Sequence, residues 1–433
     1  MQLNVPARCR VDERLTITIT PDGNGTDEED TPAGAPLALS ARLETEDGLV
    51  WQGEQAISVR DGVPYVTGPD GGSRQWPWAS AAEQVVSEAT PSSVEQAESS
   101  GWTGVPSLQI EFALQAGATT VAREKTIVTG MDEGVRREEV TGNGLEGTLF
   151  LPPGAGPFPG VVVLTGSGGG RNEAQAARFA SAGFAAFAIA YFASPGVPDE
   201  LVRIDLRYFE RAFRWLLGRD EVRGERVSVV GTSRGGELTL LLASRFPVVG
   251  TAIAYVPSGI VHSGIYSSPT GWLSDVPAWM IDGEAVPYLD HDRGNRELAD
   301  PVACSPVYAA DLFPYEPVLR ATIPVENSSA GILLLSGTDD DVWPSTLFSE
   351  LVMARLRRYP KPARHLAFRG AGHRFVFPTL PGTVTTSVHP QGLERLTMGG
   401  DAAANSRAAR LGHDAVLHAL RGEWDQIPED DPE

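Results

Sequence analysis

Three things are scarce in this chain. It has two cysteines, Cys9 and Cys304, in 433 residues. Two allow at most one bridge and no repeated metal-ligand spacing, which excludes disulfide scaffolds and zinc ribbons. It has two lysines, Lys125 and Lys361, and every other basic residue is arginine. It has no apolar run near the roughly 18 residues that span a bilayer, and Met1–Arg10 has no apolar signal-peptide core. A cytoplasmic protein without a membrane span is the expectation. With 56 acidic against 35 basic residues the net charge is −21, a balance that repels nucleic acid and anionic membranes. The acidic, Gly-rich stretch 22–34 lacks the spacing of an EF-hand and reads as a solvated loop, so no metal is expected there.

What remains is a globular composition, 42% apolar, in a chain long enough for two or three domains. Residues 1–127 read as all-β: Leu15–Thr20, Leu37–Glu44, Trp51–Val59 and Leu108–Leu114 are short strand patterns, and 68–104 reads as a long irregular connection. Their spacing predicts a β-sandwich. From about residue 128 the pattern changes. Gly160–Thr165, Ala185–Tyr191 and Gly331–Ser336 read as buried strands, apolar on both faces rather than alternating, and Val227–Val230 and Val249–Tyr255 are further short strand patterns. Helical patterns between them predict a doubly wound, mostly parallel sheet over 128–433. Residues 262–325 show little periodicity, and they are read as an insertion or lid. Ala402–Leu420 reads as a closing amphipathic helix.

Gly231-Thr-Ser-Arg-Gly235 falls between a buried strand and a helix pattern, the setting of a nucleophile elbow. The crowded turn needs small residues two before and two after the serine, and Gly231 and Gly235 stand there. Ser233 is therefore the candidate nucleophile. A hydroxyl needs a base, and the base needs an acid to hold its tautomer. In this fold they follow in the order Ser, Asp, His. His373, in Gly370-Ala-Gly-His373 after the last strand pattern, is the candidate base. Three consecutive aspartates follow the preceding strand, and Asp340 is chosen over Asp339 and Asp341 by its register between Gly337 and Pro344. Charge on the reacting carbonyl oxygen calls for backbone N–H donors. Arg234, after the nucleophile, is expected to supply one, and Gly166 or Ser167 the other. The run Gly166–Gly170 is not a dinucleotide fingerprint, because Tyr191 stands where the acidic residue is required. No metal or organic cofactor is called for.

Gly156-Pro-Phe-Pro-Gly-Val161, Gly166-Ser-Gly-Gly-Gly170, Ala190-Tyr-Phe192, Tyr208-Phe-Glu210, Gly231-Thr-Ser-Arg-Gly-Gly-Glu-Leu238, Ile323-Pro-Val-Glu326, Gly337–Ser345 and Gly370–His373 together resemble the acyl-CoA thioesterase / bile acid-CoA:amino acid N-acyltransferase family. The similarity runs from about Gly147 to the closing helix. More weakly, Val11-Asp-Glu13 and the strand carrying Trp51 look like that family's immunoglobulin-like N-terminal domain. The resemblance implies an α/β-hydrolase fold preceded by an immunoglobulin-like β-sandwich, and an acyl-enzyme mechanism on an acyl-CoA thioester. It implies Ser233 as nucleophile, His373 as base and then acid, Asp340 as its orienter, and Glu237 as a structural ion-pairing residue. The family's amine-transferring members are typically built on cysteine at the elbow, so serine implies hydrolysis. A carboxylesterase, a dienelactone-hydrolase-like enzyme or an acyltransferase would use the same three residues, and an inactive binding module would keep only the fold.

Overall fold

The computed structural model describes residues 1–21, 35–45, 48–68, 72, 74, 79–99, 107–268, 271–273, 276–290, 299–313, 315–375, 380–389 and 395–429. The acidic loop 22–34 lies outside them, as do parts of 68–104 and of 262–325. The chain divides into two compact units. One contains Met1–Gly130, Phe375–Thr385 and Asp401–His413; the other contains Met131–Arg374, Thr386–Gly400 and Asp414–Glu433.

The first unit is built on a sheet of β1 (Arg8–Arg10), β2 (Leu37–Glu44), β3 (Val50–Arg60), β4 (Val63–Val66), β5 (Ser107–Ala116) and β6 (Thr119–Thr129) in the order β1-β6-β5-β2-β3-β4, with Thr90–Pro91 pairing on β3. The β1/β6 pair is parallel and the others along that path are antiparallel. Of the segment Leu15–Thr20 only Thr18–Thr20 is a strand, in a separate ribbon with Gln2–Asn4. Helix α1 (Ala81–Ser87) occupies a stretch that carries no strong periodicity, because its strongest signal is local. Ser80 accepts from the Glu83 N–H while the Glu83 carboxylate accepts from the Ser80 N–H, a capping box written as Ser-x-x-Glu in the sequence. Glu83 then pairs with Arg410 at 2.7 Å, both side chains nearly inaccessible.

The second unit holds β7 (Arg136–Gly142), β8 (Leu145–Leu151), β9 (Phe158–Leu164), β10 (Ala185–Ala190), β11 (Val222–Thr232), β12 (Val249–Tyr255), β13 (Gly331–Gly337) and β14 (Ala363–Phe368). They form one sheet in the order β7-β8-β10-β9-β11-β12-β13-β14. β7/β8 and β8/β10 are antiparallel, and from β10 onward all pairs are parallel. Val161–Leu164 and Ala185–Ala190 are inaccessible on both faces, the reason they read as continuous apolar runs. Helices α2 (Glu173–Ser181), α3 (Arg207–Leu217), α4 (Arg234–Arg245) and α5 (Ser345–Leu356) supply the cover. The main core runs from Leu149 and Phe187 through Phe209 and Leu238 to Leu334.

Two segments differ from the linear reading. Within 262–325, Trp279 belongs to that main core and Trp279–Ile281 pairs in parallel with Ile204–Asp205. Helix α6 (Ala402–Arg421) is one continuous element whose residues to His413 group with the first unit and whose later residues group with the second.

Candidate active site

Ser233 stands between β11 and α4 with φ 58° and ψ −120°, a strained left-handed conformation for a residue with a Cβ. Tertiary contacts hold it there. Its N–H donates to the Tyr255 carbonyl at 2.9 Å and its own carbonyl accepts from the Glu237 N–H at 3.0 Å. The flanking glycines are explained by close approach. A Cβ on Gly231 would overlap the Gly235 carbonyl, and one on Gly235 would overlap the Thr165 carbonyl. Gly235→Ala should therefore destabilise the second unit by on the order of 3 kcal/mol. An unchanged denaturation midpoint would show that the turn is not crowded.

Because β11 to β14 are parallel, the loops that follow β11, β13 and β14 share one rim of the sheet. Asp340, after β13, has its carboxylate almost fully buried and is held by two main-chain donors: Oδ1 accepts from the N–H of Val342 at 3.0 Å and of Trp343 at 3.2 Å. Its Oδ2 lies 2.8 Å from His373 Nδ1. Asp339 is exposed and accepts from Thr338 Oγ1, and Asp341 accepts from Thr397 Oγ1. Of the three aspartates, Asp340 is the one joined to the imidazole. The two loops touch through glycine, since a Cβ on Gly337 would overlap the Ala371 and Gly372 carbonyls. Ser233 and His373 are 9% and 8% exposed, reachable but mostly shielded from water. Among the described residues no hydrogen bond joins the Ser233 hydroxyl to His373; in ligand-free sites such a bond is often long and tightens with substrate.

Arg234 opens α4, where the first N–H groups have no partner within the helix. Gly166 lies against the nucleophile, with its Cβ position 3.3 Å from Ser233 Cβ. The expected donors Arg234 and Gly166 therefore flank the serine. Ser167 is fixed from an unexpected direction: its hydroxyl lies 2.9 Å from Nε2 of the buried His389. No sequence signal marks His389, which lies 222 residues away. Trp343 was equally illegible as a support. Its indole N–H donates to the Val256 carbonyl at 2.8 Å, and its ring stands edge-on to His373 at 5.8 Å. Met398 contributes its carbonyl to the His373 N–H at 2.7 Å, and Gly399 bridges to Asp340.

Glu237 is inaccessible and lies 3.3 Å from Arg234 Nη1. It also accepts from Trp279 Nε1 at 2.8 Å and from the His262 N–H at 3.3 Å. Burial pushes its carboxyl up to about 7, against the pull of Arg234, Trp279 and His262. The unfolded chain releases this proton near 4.5 and the folded one near 7. Between those values the folded state binds more protons, so this group's contribution to stability falls as pH rises. Glu237→Gln should flatten the loss of stability between pH 4.5 and 7, by on the order of 3 kcal/mol across the window. Denaturant titrations at pH 5 and 7.5 measure it, and parallel curves for the two proteins would sink the assignment.

Among the described residues no group of three His, Cys, Asp or Glu side chains is gathered to hold a metal. No described helix is long and apolar enough to cross a membrane.

A mostly parallel eight-stranded sheet of this order, with a strained serine between strand and helix and an Asp–His pair on the same rim, defines an α/β-hydrolase fold. Residues 204–414 match the family model described as BAAT / Acyl-CoA thioester hydrolase C terminal. Human acyl-coenzyme A thioesterase 1 is 32% identical over 284 residues, covering 64% of this chain and 62% of the human protein. Mouse peroxisomal succinyl-coenzyme A thioesterase is 31% identical, covering 64% and 63%. Mouse acyl-coenzyme A amino acid N-acyltransferase 1 is 33% identical, covering 64% and 62%. The match thus spans somewhat over three fifths of the length of these relatives. Among solved structures, a dienelactone hydrolase-like promiscuous phosphotriesterase from metagenomic libraries is 18% identical and aligns over 67% of this chain and 99% of its own, with a TM-score of 0.42.

Proposed function

We propose that this chain hydrolyses acyl-CoA thioesters through an acyl-enzyme, with Ser233 as nucleophile, His373 as base and Asp340 as the group that orients it. The observation that carries the reading is the 2.8 Å contact between His373 Nδ1 and a buried Asp340 carboxylate, on the rim that also presents Ser233. In this reading His373 Nε2 takes the Ser233 proton as Oγ attacks the thioester carbon. The tetrahedral oxyanion is held by the N–H of Arg234 and of Gly166 or Ser167, each good donor contributing about 3–4 kcal/mol. The intermediate collapses, the C–S bond breaks, and His373 returns the proton to the CoA sulfur. Water then enters, His373 takes its proton, and the acyl ester is hydrolysed to free acid with the proton restored to Ser233.

Relatives carry both thioesterase and N-acyltransferase names. Serine rather than cysteine at position 233 supports water as the second substrate, by the family resemblance. The antiparallel strands of the first unit are consistent with that family's immunoglobulin-like sandwich, and the scarcity of cysteine with a cytoplasmic site. A panel of acyl-CoA esters and p-nitrophenyl esters tests the reading: CoA release at several chain lengths is expected, together with fluorophosphonate labelling at Ser233. Good ester turnover with no CoA release from any chain length would make it a carboxylesterase instead. No labelling and no turnover would leave a binding module.

A further inference from the structure

The loop that follows β9 is Gly166-Ser-Gly-Gly-Gly170, four glycines around one serine. Glycine offers no side chain to hold and has the widest backbone freedom, which Gly169 and Gly170 use with φ 68° and 69°. Donors to a tetrahedral oxyanion stabilise it best when they are fixed before the charge forms, so a loop of this composition needs outside support. Both ends are pinned. The Tyr191 hydroxyl donates to the Thr165 carbonyl at 2.6 Å, and the Gly170 N–H donates to the Phe192 carbonyl at 3.0 Å. Between those pins Ser167 carries the one side chain by which the run can be gripped, and His389 Nε2 lies 2.9 Å from its hydroxyl oxygen. His389 is 5% exposed; a ring nitrogen so withdrawn from water needs a partner, and Ser167 Oγ is one.

The segment that delivers His389 also serves the acid–base side of the site. Thr386–Val388 pairs antiparallel with Arg395–Thr397, with Val388 opposite Arg395 and Thr386 opposite Thr397. His389 leaves one end of this ribbon. Met398 and Gly399 leave the other, where the Met398 carbonyl accepts from the His373 N–H at 2.7 Å and Gly399 bridges to Asp340. Ser167, Asp340, His373 and the whole ribbon belong to the second unit. The same ribbon therefore holds the base and its orienter from one end and the expected oxyanion donors from the other.

We propose that His389 is a positioning residue of the oxyanion hole: through Ser167 Oγ it fixes the Gly166–Ser167 peptide, so that the N–H groups of this loop stand ready for the acyl oxygen as it becomes an anion. The inference rests on the acyl-enzyme reading of Ser233. Gly166 lies against the nucleophile, its Cβ position 3.3 Å from Ser233 Cβ, so a small swing of this peptide changes the donor distance directly. Misplacing a group by about 1 Å costs about 100-fold in rate, and deleting one donor costs about 10²- to 10³-fold. Loss of the grip loosens the donor without deleting it, which sets the expected effect at about 10- to 100-fold. His389 acts only through Ser167, so ground-state binding is left alone.

The test uses the full chain with hexanoyl-CoA and p-nitrophenyl hexanoate, which share one acyl group and so form the same kind of oxyanion. His389→Leu is expected to lower kcat on both by about 10- to 100-fold, with KM within about threefold of wild type. A trifluoromethyl ketone of the same chain length bonds through its carbonyl carbon to Ser233 Oγ, its oxygen becoming the anion while the serine proton passes to His373. Affinity for it should fall by the same factor as kcat. His389→Gln keeps a polar group at the reach of Nε2 and should recover most of the loss. Ser167→Ala should fall as His389→Leu does, and the double variant no further than the lower single, because the two side chains act as a unit. Unchanged kcat in His389→Leu would overturn the proposal. So would a loss seen in KM or the denaturation midpoint rather than in kcat and inhibitor affinity, or additive losses in the double variant. Ester turnover without CoA release removes the thioesterase reading and leaves the ester series to decide on His389. Neither turnover nor fluorophosphonate labelling in wild type removes the acyl-enzyme itself, and the proposal falls with it.

Discussion

Ser233→Ala is expected to lower kcat for the proposed acyl-CoA hydrolysis by about 10⁴-fold or more while the denaturation midpoint stays near that of the wild type. The substitution removes only Oγ. The Cβ remains, the Ser233 N–H still donates to Tyr255 and its carbonyl still accepts from Glu237, so the turn keeps its shape. Binding and the oxyanion donors survive as well, which is why turnover falls to a residual level above the uncatalysed rate rather than to zero. Single-turnover assays with acyl-CoA measure the loss, and intact-protein mass spectrometry should find no acyl adduct on the variant. A variant that keeps a tenth of wild-type turnover would remove Ser233 as nucleophile, and the mechanism with it.

Asp340→Asn should cost about 10³- to 10⁴-fold in kcat with little change in fold. An asparagine at 340 can still accept from the Val342 and Trp343 N–H groups through its oxygen. What then faces His373 Nδ1 is an NH₂ group, a donor where an acceptor is needed. The imidazole is driven to the tautomer with its proton on Nε2, and it can no longer accept from Ser233. Asp339→Asn and Asp341→Asn are the controls, because the first side chain is exposed beside Thr338 and the second is bonded to Thr397. Each should stay within about threefold of wild type. Loss of activity in either control equal to that in Asp340→Asn would show that the local acidic charge matters and the orientation does not.

The candidate site was legible to the extent that its chemistry is written in consecutive residues. Gly231 to Gly235 and Gly370 to His373 are short motifs: Gly231, Gly235 and Gly372 answer backbone approaches that no Cβ could permit, and Gly370 adopts φ 74°. The choice among Asp339, Asp340 and Asp341 rested on register alone, and burial and hydrogen bonding now separate them. Helix α1 was missed although Ser80 and Glu83 mark its start, because a seven-residue helix has too few turns to show periodicity. His389, Met398 and Gly399 carried no mark, since what they give the site is a ring nitrogen, a carbonyl and a close approach from far along the chain.

Sequence alone determined the parallel core strands, the elbow and the order in which serine, aspartate and histidine follow one another, because unbroken apolar runs and crowded turns are local requirements that local residues must meet. Only the tertiary structure decided which aspartate meets the imidazole, and that residues 397–399 brace both loops. Those outcomes depend on distances between segments separated by tens to hundreds of residues. Such distances are set by how the sheet stacks its strands and covers its faces, and no short stretch of chain contains them.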